Sequence, residues 1–252
     1  MSKSVERFSS RVENYAKYRP NYPTPIIPFL KSESVLTDSS LIADIGSGTG
    51  KLTELFLQNG NTVFGVEPNQ GMRGAAERIL QAYSNFRSLD GTAEQTTLAD
   101  SSIDLITAGQ AFHWFNPLLA RVEAFRILRP DGWAVLIWND RKLQSTPFLE
   151  AYEALLLKYG TDYQDVRHDK AEKAITEFFA PDEVKLKIFP NKQFFDCDGL
   201  KGRVQSSSYT PEPAHPAFPA MIHELEVIFR NHEKDGQVVF EYDTKVFYGQ
   251  VG

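Results

Sequence analysis

Ile42-Ala-Asp-Ile-Gly-Ser-Gly-Thr-Gly-Lys51 carries a short apolar run into three alternating glycines and out into KLTELFLQNG (51–60), whose apolar residues recur at helical spacing. A strand that turns through glycine into a helix opens a βαβ unit. Working outward, further apolar runs stand at TVFGVE (62–67), FRSLDG (86–91), IDLITAG (103–109) and WAVLIW (133–138). Between them lie the amphipathic stretches QGMRGAAERILQAY (70–83) and PLLARVEAFRILRPDG (117–132), which stop near glycine or Arg-Pro. Strands alternating with helices predict a parallel sheet covered on both faces, because the crossovers are right-handed and place helices there. The fold class expected is α/β, doubly wound and mostly parallel.

The flanks are less regular. Residues 1–38 read as a short helix over about 5–18, an irregular stretch punctuated by Pro20, Pro23, Pro25 and Pro28, and a second short helix. After Asp140, FLEAYEALLLKYG (148–160) predicts a helix and EVKLKIFPNKQFF (183–195) a strand. PEPAHPAFP (211–219) cannot be regular, AMIHELEVIFRNHEKDG (220–236) predicts a helix, and GQVVFEYDTKVFYGQV (236–251) predicts a late antiparallel strand with period-two alternation. The chain is read as a single domain over 1–252, with an N-terminal cap at 1–38, a cofactor-binding half at 39–140 and a substrate-side half at 141–252.

Composition narrows the function. With 252 residues, 42 % hydrophobic and 24 % charged, the chain matches soluble globular proteins and needs no disulfide or metal to hold a core. Lys plus Arg total 27 against 33 Asp plus Glu, for a net charge of −6, which argues against nucleic acid as partner. Glu6 and Glu13 stand where a signal peptide needs an apolar run, and no segment is apolar enough to span a bilayer, so a cytoplasmic location without membrane contact is expected. His168, His215, His223 and His232 lack metal-ligand spacing, so no metal is expected, and the lone Cys197 reads as an inert small residue.

The glycine loop can be tested against known ligands. A P-loop needs glycine where Ile45 stands and Ser or Thr where Leu52 stands, so that reading fails. A dinucleotide fingerprint needs its third glycine where Lys51 stands, which weakens phosphate binding. An acid at Asp44, ahead of the glycines, suits a ligand that presents a positive group, since a carboxylate would repel a pyrophosphate. S-adenosylmethionine, with an ammonium and a fixed sulfonium, meets that description. The second strand then ends in Glu67, a carboxylate able to accept bonds from both ribose hydroxyls. The plain alternative is a tight turn with a solvated surface acid.

Further motifs strengthen the first reading. Asp44-Ile-Gly-Ser-Gly-Thr-Gly50, Gly65-Val-Glu-Pro68 with Met72, Gly91-Thr-Ala-Glu94, Ile103-Asp-Leu105, Gln110-Ala-Phe-His-Trp-Phe115 and Leu128-Arg-Pro-Asp-Gly132 succeed one another, preceded by Tyr15-Ala-Lys-Tyr-Arg-Pro-Asn-Tyr-Pro23. Over about residues 8–140 the chain resembles the class I S-adenosylmethionine-dependent methyltransferases, type 11, and within them the small-molecule branch that includes trans-aconitate methyltransferase. The resemblance implies a Rossmann-like sheet and S-adenosylmethionine as cofactor. It implies that Asp44, Gly46, Gly48 and Thr49 hold the methionine end, that Glu67 and Pro68 meet the ribose, and that Met72 packs on adenine. Thr92, Ala93 and Glu94 would border the adenine edge; many relatives carry aspartate where Thr92 stands, so backbone groups of Thr92 and Ala93 serve there. Gln110, Ala111 and Phe112 complete the cofactor side, and Tyr18 and Arg19 close over it.

Tyr15, His113 and Trp114 are placed on the substrate side. His113 is the one candidate general base, but it is read as packed among aromatics and orienting them, since a carboxylate acceptor needs no base. Arg203, near Ser206 to Ser208, is a candidate anchor for an acidic substrate and is read as an exposed arginine. The activity expected is transfer of a methyl group to an oxygen or nitrogen of a small molecule, a carboxylic acid among the candidates, by in-line displacement. The rivals are a nicotinamide-dependent reductase of the NAD(P) type and a catalytically silent S-adenosylmethionine-binding protein.

Overall fold

The apolar runs become strands whose two sides both face core. In the computed structural model, which describes residues 12–161, 163 and 171–251, α1 (Val12–Tyr18) and α2 (Ile26–Ser32) lead into β1 (Leu41–Ile45) and α3 (Lys51–Gln58). β2 (Thr62–Val66), α4 (Gln70–Ile79), β3 (Phe86–Leu89), β4 (Ile103–Gly109), a 3-10 turn (Phe112–Trp114), α5 (Pro117–Ile127) and β5 (Leu128–Arg141) follow. The chain closes with α6 (Pro147–Tyr159), α7 (Ala171–Phe179), β6 (Lys185–Phe195), α8 (Cys197–Gln205), α9 (Phe218–His232) and β7 (Val238–Gln250). These strands form one sheet in the order β3-β2-β1-β4-β5-β7-β6. β1 to β5 pair in parallel, and β7 runs antiparallel between β5 and β6. The expected mostly parallel sheet with a late antiparallel strand is what forms.

Alternation along the pleat sorts the core into two layers. Ala43, Ile45, Ile106 and Leu136 face Ala120, Ala124 and Ile127 of α5 and Phe178 and Phe179 of α7. Ile42, Val63, Leu105, Val135 and Ile137 face Ile26 and Leu30 of α2 and Leu55 and Phe56 of α3. A strand covered on both sides is apolar at every position, which is why these runs read as continuous rather than alternating. A third cluster, Tyr152 and Leu156 of α6, Leu200 and Val204 of α8, Met221 and Leu225 of α9 and Phe240 and Tyr242 of β7, builds the wall beyond the sheet's carboxyl edge.

Several boundaries differ from the sequence reading. α5 stops at Ile127 and residues 128–132 join β5, because Pro130 bars Arg129 from helical geometry. α9 starts at Phe218, with Pro219 in its first turn where a missing N–H costs nothing, and ends at His232 rather than Gly236. α7 and α8 have no counterpart in that reading. α8 contains Gly199 and Gly202, poor helix formers, and is started by the Asp196 side chain accepting from Gly199 N at 2.7 Å. Of the helix expected over about 5–18, residues 5–11, with Glu6, lie outside the described residues, as does His168. No helix among the described residues is long and apolar enough to cross a membrane, and no group of three or more His, Cys, Asp or Glu among them could hold a metal.

Candidate active site

The chain leaves β1 toward β2 on one side and returns to β4 on the other, so a crevice opens between the carboxyl ends of β1 and β4. The glycine loop lies over it. Gly46, Gly48 and Gly50 all take positive φ, at 67°, 57° and 86°, but for different reasons. A Cβ on Gly46 would stand 2.6 Å from the Ala111 Cβ, and one on Gly50 2.6 Å from Leu80 Cδ1, so the packing of the protein itself demands those two. A Cβ on Gly48 would meet only the Gly46 carbonyl, 4.0 Å away. Gly48 borders open cavity.

At the floor, Asp44 is fully buried. Its Oδ2 accepts from Thr53 Oγ1 at 2.6 Å and its Oδ1 from Thr107 Oγ1 at 3.1 Å. Burial nevertheless raises its pKa to about 7, because no cation stands within ion-pair distance of it among the described residues. The Thr49 hydroxyl beside it is buried without a partner. A buried acid and an unsatisfied hydroxyl facing a cavity suit a ligand that brings a positive, hydrogen-bonding group. Glu67 ties the loop to β2: Oε2 accepts from Gly48 N at 2.9 Å and Oε1 from Asn69 N at 2.8 Å. Burial pushes the Glu67 pKa up, and these two amides oppose the rise.

The cavity measures about 350 Å³. Gln110 forms its lip at the end of β4 with φ of 54°, a left-handed conformation costly for a residue with a side chain. It is held there by Gln110 N donating to Ile137 O at 2.9 Å and Nε2 donating to Asn139 O at 3.1 Å. The segment after α1 covers the opening and is pinned at Asn21, whose carbonyl accepts from Asn191 Nδ2 at 2.8 Å and whose side chain accepts from Lys51 Nζ at 2.9 Å. β5 and β7 overhang the sheet: Gly109 at the end of β4 pairs with Ile137, whereas Arg141, four residues on, pairs with Tyr242. Both Arg141 and Tyr242 face the cavity.

Of the residues assigned to the site in the sequence, Tyr15, Arg19, Asp44, Gly46, Gly48, Thr49, Gln110, His113 and Trp114, with the candidate anchor Arg203, line this one cavity. The others lie apart from it. Tyr18 packs its ring on Gly202 and Phe195, and Ala111 and Phe112 are buried, Phe112 against Trp138 and Phe178. Glu67, Pro68 and Met72 sit at the β2 to α4 junction, with Met72 4 % exposed. Thr92 pairs with Gln95, Ala93 is in the core, and Glu94 accepts from Asn116 N at 2.8 Å. Two expectations are corrected. Arg203 is 4 % exposed rather than exposed, because α8 turns it inward over Phe240, and His113 is exposed at the cavity wall, its ring tilted against that of Trp114 with centroids 4.8 Å apart, rather than packed in the core. Arg141, Tyr209 and Tyr242 were missed, since nothing in their local sequence marks them; only the overhang of β5 and β7 and the inward turn after α8 bring them to the site.

Comparison with known proteins agrees with this geometry. The family described as "Methyltransferase domain" matches residues 43–136. An uncharacterized methyltransferase-like protein of Schizosaccharomyces pombe is 30 % identical over 248 residues, covering 96 % of this chain and 94 % of that one. A second uncharacterized methyltransferase of that yeast is 33 % identical over 202 residues, 80 % of this chain and 78 % of its own. The solved structure of a candidate type II methyltransferase from Anaeromyxobacter dehalogenans superposes with a TM-score of 0.72 at 17 % identity, over 93 % of this chain and 98 % of that one.

Proposed function

The chain belongs to the class I S-adenosylmethionine-dependent methyltransferases, and on that premise we propose that it methylates an oxygen or nitrogen of a small molecule, with a carboxylic acid among the acceptors, inside the cavity at the ends of β1 and β4. The observation that carries this is Asp44, buried with no cation among the described residues and beside the open face of Gly48. When bound, S-adenosylmethionine supplies a methyl already activated by its sulfonium, so direct in-line displacement needs no covalent enzyme intermediate. Asp44 then accepts the ammonium, the Thr49 hydroxyl gains the partner it lacks, and Gly48 leaves room for the ligand against the backbone. Glu67 holds the Gly48 amide in place and has lone pairs left for the ribose. The 350 Å³ cavity positions the acceptor, and proximity of this kind is worth up to about 7 to 11 kcal/mol of barrier.

Turnover of labelled S-adenosylmethionine on a panel of small metabolites tests the reading; a protein that binds the cofactor and methylates nothing on the panel is the silent binder instead. Glu67→Ala is expected to weaken S-adenosylmethionine by roughly 10- to 150-fold, the about 1.5 to 3 kcal/mol of hydrogen bonding to a charged group. Calorimetry checks it, and an unchanged Kd removes the ribose role. His113→Gln is expected to cost less than about tenfold and to raise KM for the acceptor as well as lower kcat. A loss of about 10²-fold or more in kcat alone, with the acidic limb of the rate profile gone, would make His113 the general base.

A further inference from the structure

We propose that Arg19 and Arg203 form an anion subsite at the far end of the cavity, where they anchor a carboxylate of the acceptor molecule other than the atom that is methylated. The proposal rests on reading this cavity as the place of methyl transfer. Arg203 Nη1 donates to Ser207 Oγ at 3.0 Å, and Arg19 Nη2 donates to Ser206 O at 3.0 Å. In both side chains Nε is buried with no partner, and neither guanidinium has a carboxylate within ion-pair distance among the described residues. The third arginine of the cavity differs: Arg141 is paired with Glu153 and donates to Tyr163 Oη at 2.9 Å.

Two like charges taken out of water beside one another, with no counter-ion among the described residues, are unfavourable until an anion joins them. The Arg203 charge acts on Arg19, while the phenols of Tyr242, Tyr152 and Tyr209 hold the Arg203 pKa up against its burial. Burial and the Arg203 charge together lower the Arg19 pKa, and the two guanidinium groups pull the Tyr209 phenol down against its burial. The cavity is therefore polarised, acidic at Asp44 under the glycine loop and basic at the far wall. Arg203 faces Tyr242 on β7, and β4 and β5 stand between β7 and β1. Three strand spacings make about 14 Å, room for the methionine end of the cofactor and a small organic acid placed end to end.

A carboxylate held in the fork of a guanidinium gives its lone pairs to N–H bonds and loses nucleophilicity. The anchored group is thus the handle, and the accepting oxygen or nitrogen lies elsewhere on the molecule, toward Gln110 and His113. The substrate class that follows is a small acid with a second polar group at a distance.

The test is calorimetric titration of the protein saturated with S-adenosylhomocysteine, using succinate, glutarate, benzoate and inorganic phosphate, and the amides of the three acids. At least one acid is expected to bind, with its amide at least about tenfold weaker, and Arg203→Gln is expected to weaken the acid about tenfold or more while the S-adenosylhomocysteine Kd moves less than about threefold. Where Arg203→Gln does not fold, Arg19→Gln, on the half-buried member of the pair, is read by the acid-to-amide preference alone, which is expected to fall about tenfold or more. Absence of binding by every acid, equal binding of acid and amide, or undiminished binding to the variants overturns the subsite, and binding of phosphate alone overturns the carboxylate assignment. Failure to take up S-adenosylhomocysteine overturns the methyl-transfer reading instead, and the same titrations on the free protein then decide the subsite.

Discussion

Gly48→Val is expected to abolish detectable binding of S-adenosylmethionine while the protein stays folded. Two costs must be separated. The first is backbone strain: φ at Gly48 is +57°, and an L side chain there costs about 1 to 2 kcal/mol, more when β-branched. The second is occupancy, since a Cβ at this position meets no protein atom closer than 4.0 Å and the valine methyls enter the cavity. Gly60 provides the control, with φ of +96° and nothing within 4 Å of a built Cβ, at a turn away from the cavity. Gly60→Val shares the strain and is expected to lower the melting temperature by a few degrees while leaving the cofactor Kd unchanged. Gly48→Val is expected to melt within a few degrees of Gly60→Val yet give no binding heat. Binding by Gly48→Val at near wild-type strength would reduce the loop to a turn.

That experiment bears on a division within the site. Asp44, Gly48 and Glu67 were legible in the sequence because strand, turn and helix are local, and their spacing alone fixes what sits at the carboxyl end of a strand. The sheet was legible for the same reason: Ile42, Leu105 and Val135 stand in runs whose length and apolarity leave few alternatives to a buried parallel strand. The far wall was not. Arg203 lies in DGLKGRVQSSS, a stretch with two glycines and no helical pattern, where it reads as exposed, and becomes a buried helical residue because Tyr18 fills the space above Gly202, where a Cβ would be only 2.1 Å from the ring. The contact joins residues 184 positions apart, and no periodicity within either segment announces it. His113 failed in the opposite direction: flanking aromatics suggested burial, but in the 3-10 turn only Phe112 points into the core, leaving His113 and Trp114 at the cavity.

Asp44→Asn is expected to weaken S-adenosylmethionine by more than any other polar substitution in the site. Removing one partner of a buried charge pair costs about 3 to 5 kcal/mol, or roughly 150- to 4,000-fold in Kd. Asparagine keeps the shape between Thr53 and Thr107, so the loss reports charge. The wild-type protein carries a second signature in its pH dependence. Burial raises the Asp44 pKa from 3.8 to about 7, so in the free protein this carboxyl is mostly protonated at pH 6 and mostly ionised at pH 8. A cationic ligand selects the ionised form, and the ionised fraction rises about tenfold across that interval, so the Kd should tighten about tenfold from pH 6 to pH 8. Stability of the free protein runs the other way. A native pKa above the unfolded value means the folded state holds the extra proton between about pH 4 and 7, so this group's contribution is complete below pH 4 and lost as pH rises through 7. Asp44→Asn should show neither trend from this site: a cofactor Kd flat between pH 6 and 8, and a melting temperature that exceeds its low-pH offset from wild type as pH rises. A wild-type Kd that does not change over that range, or an asparagine variant that binds within about threefold of wild type, would take the ammonium away from Asp44 and leave the acid as a hydrogen-bond acceptor for two threonines.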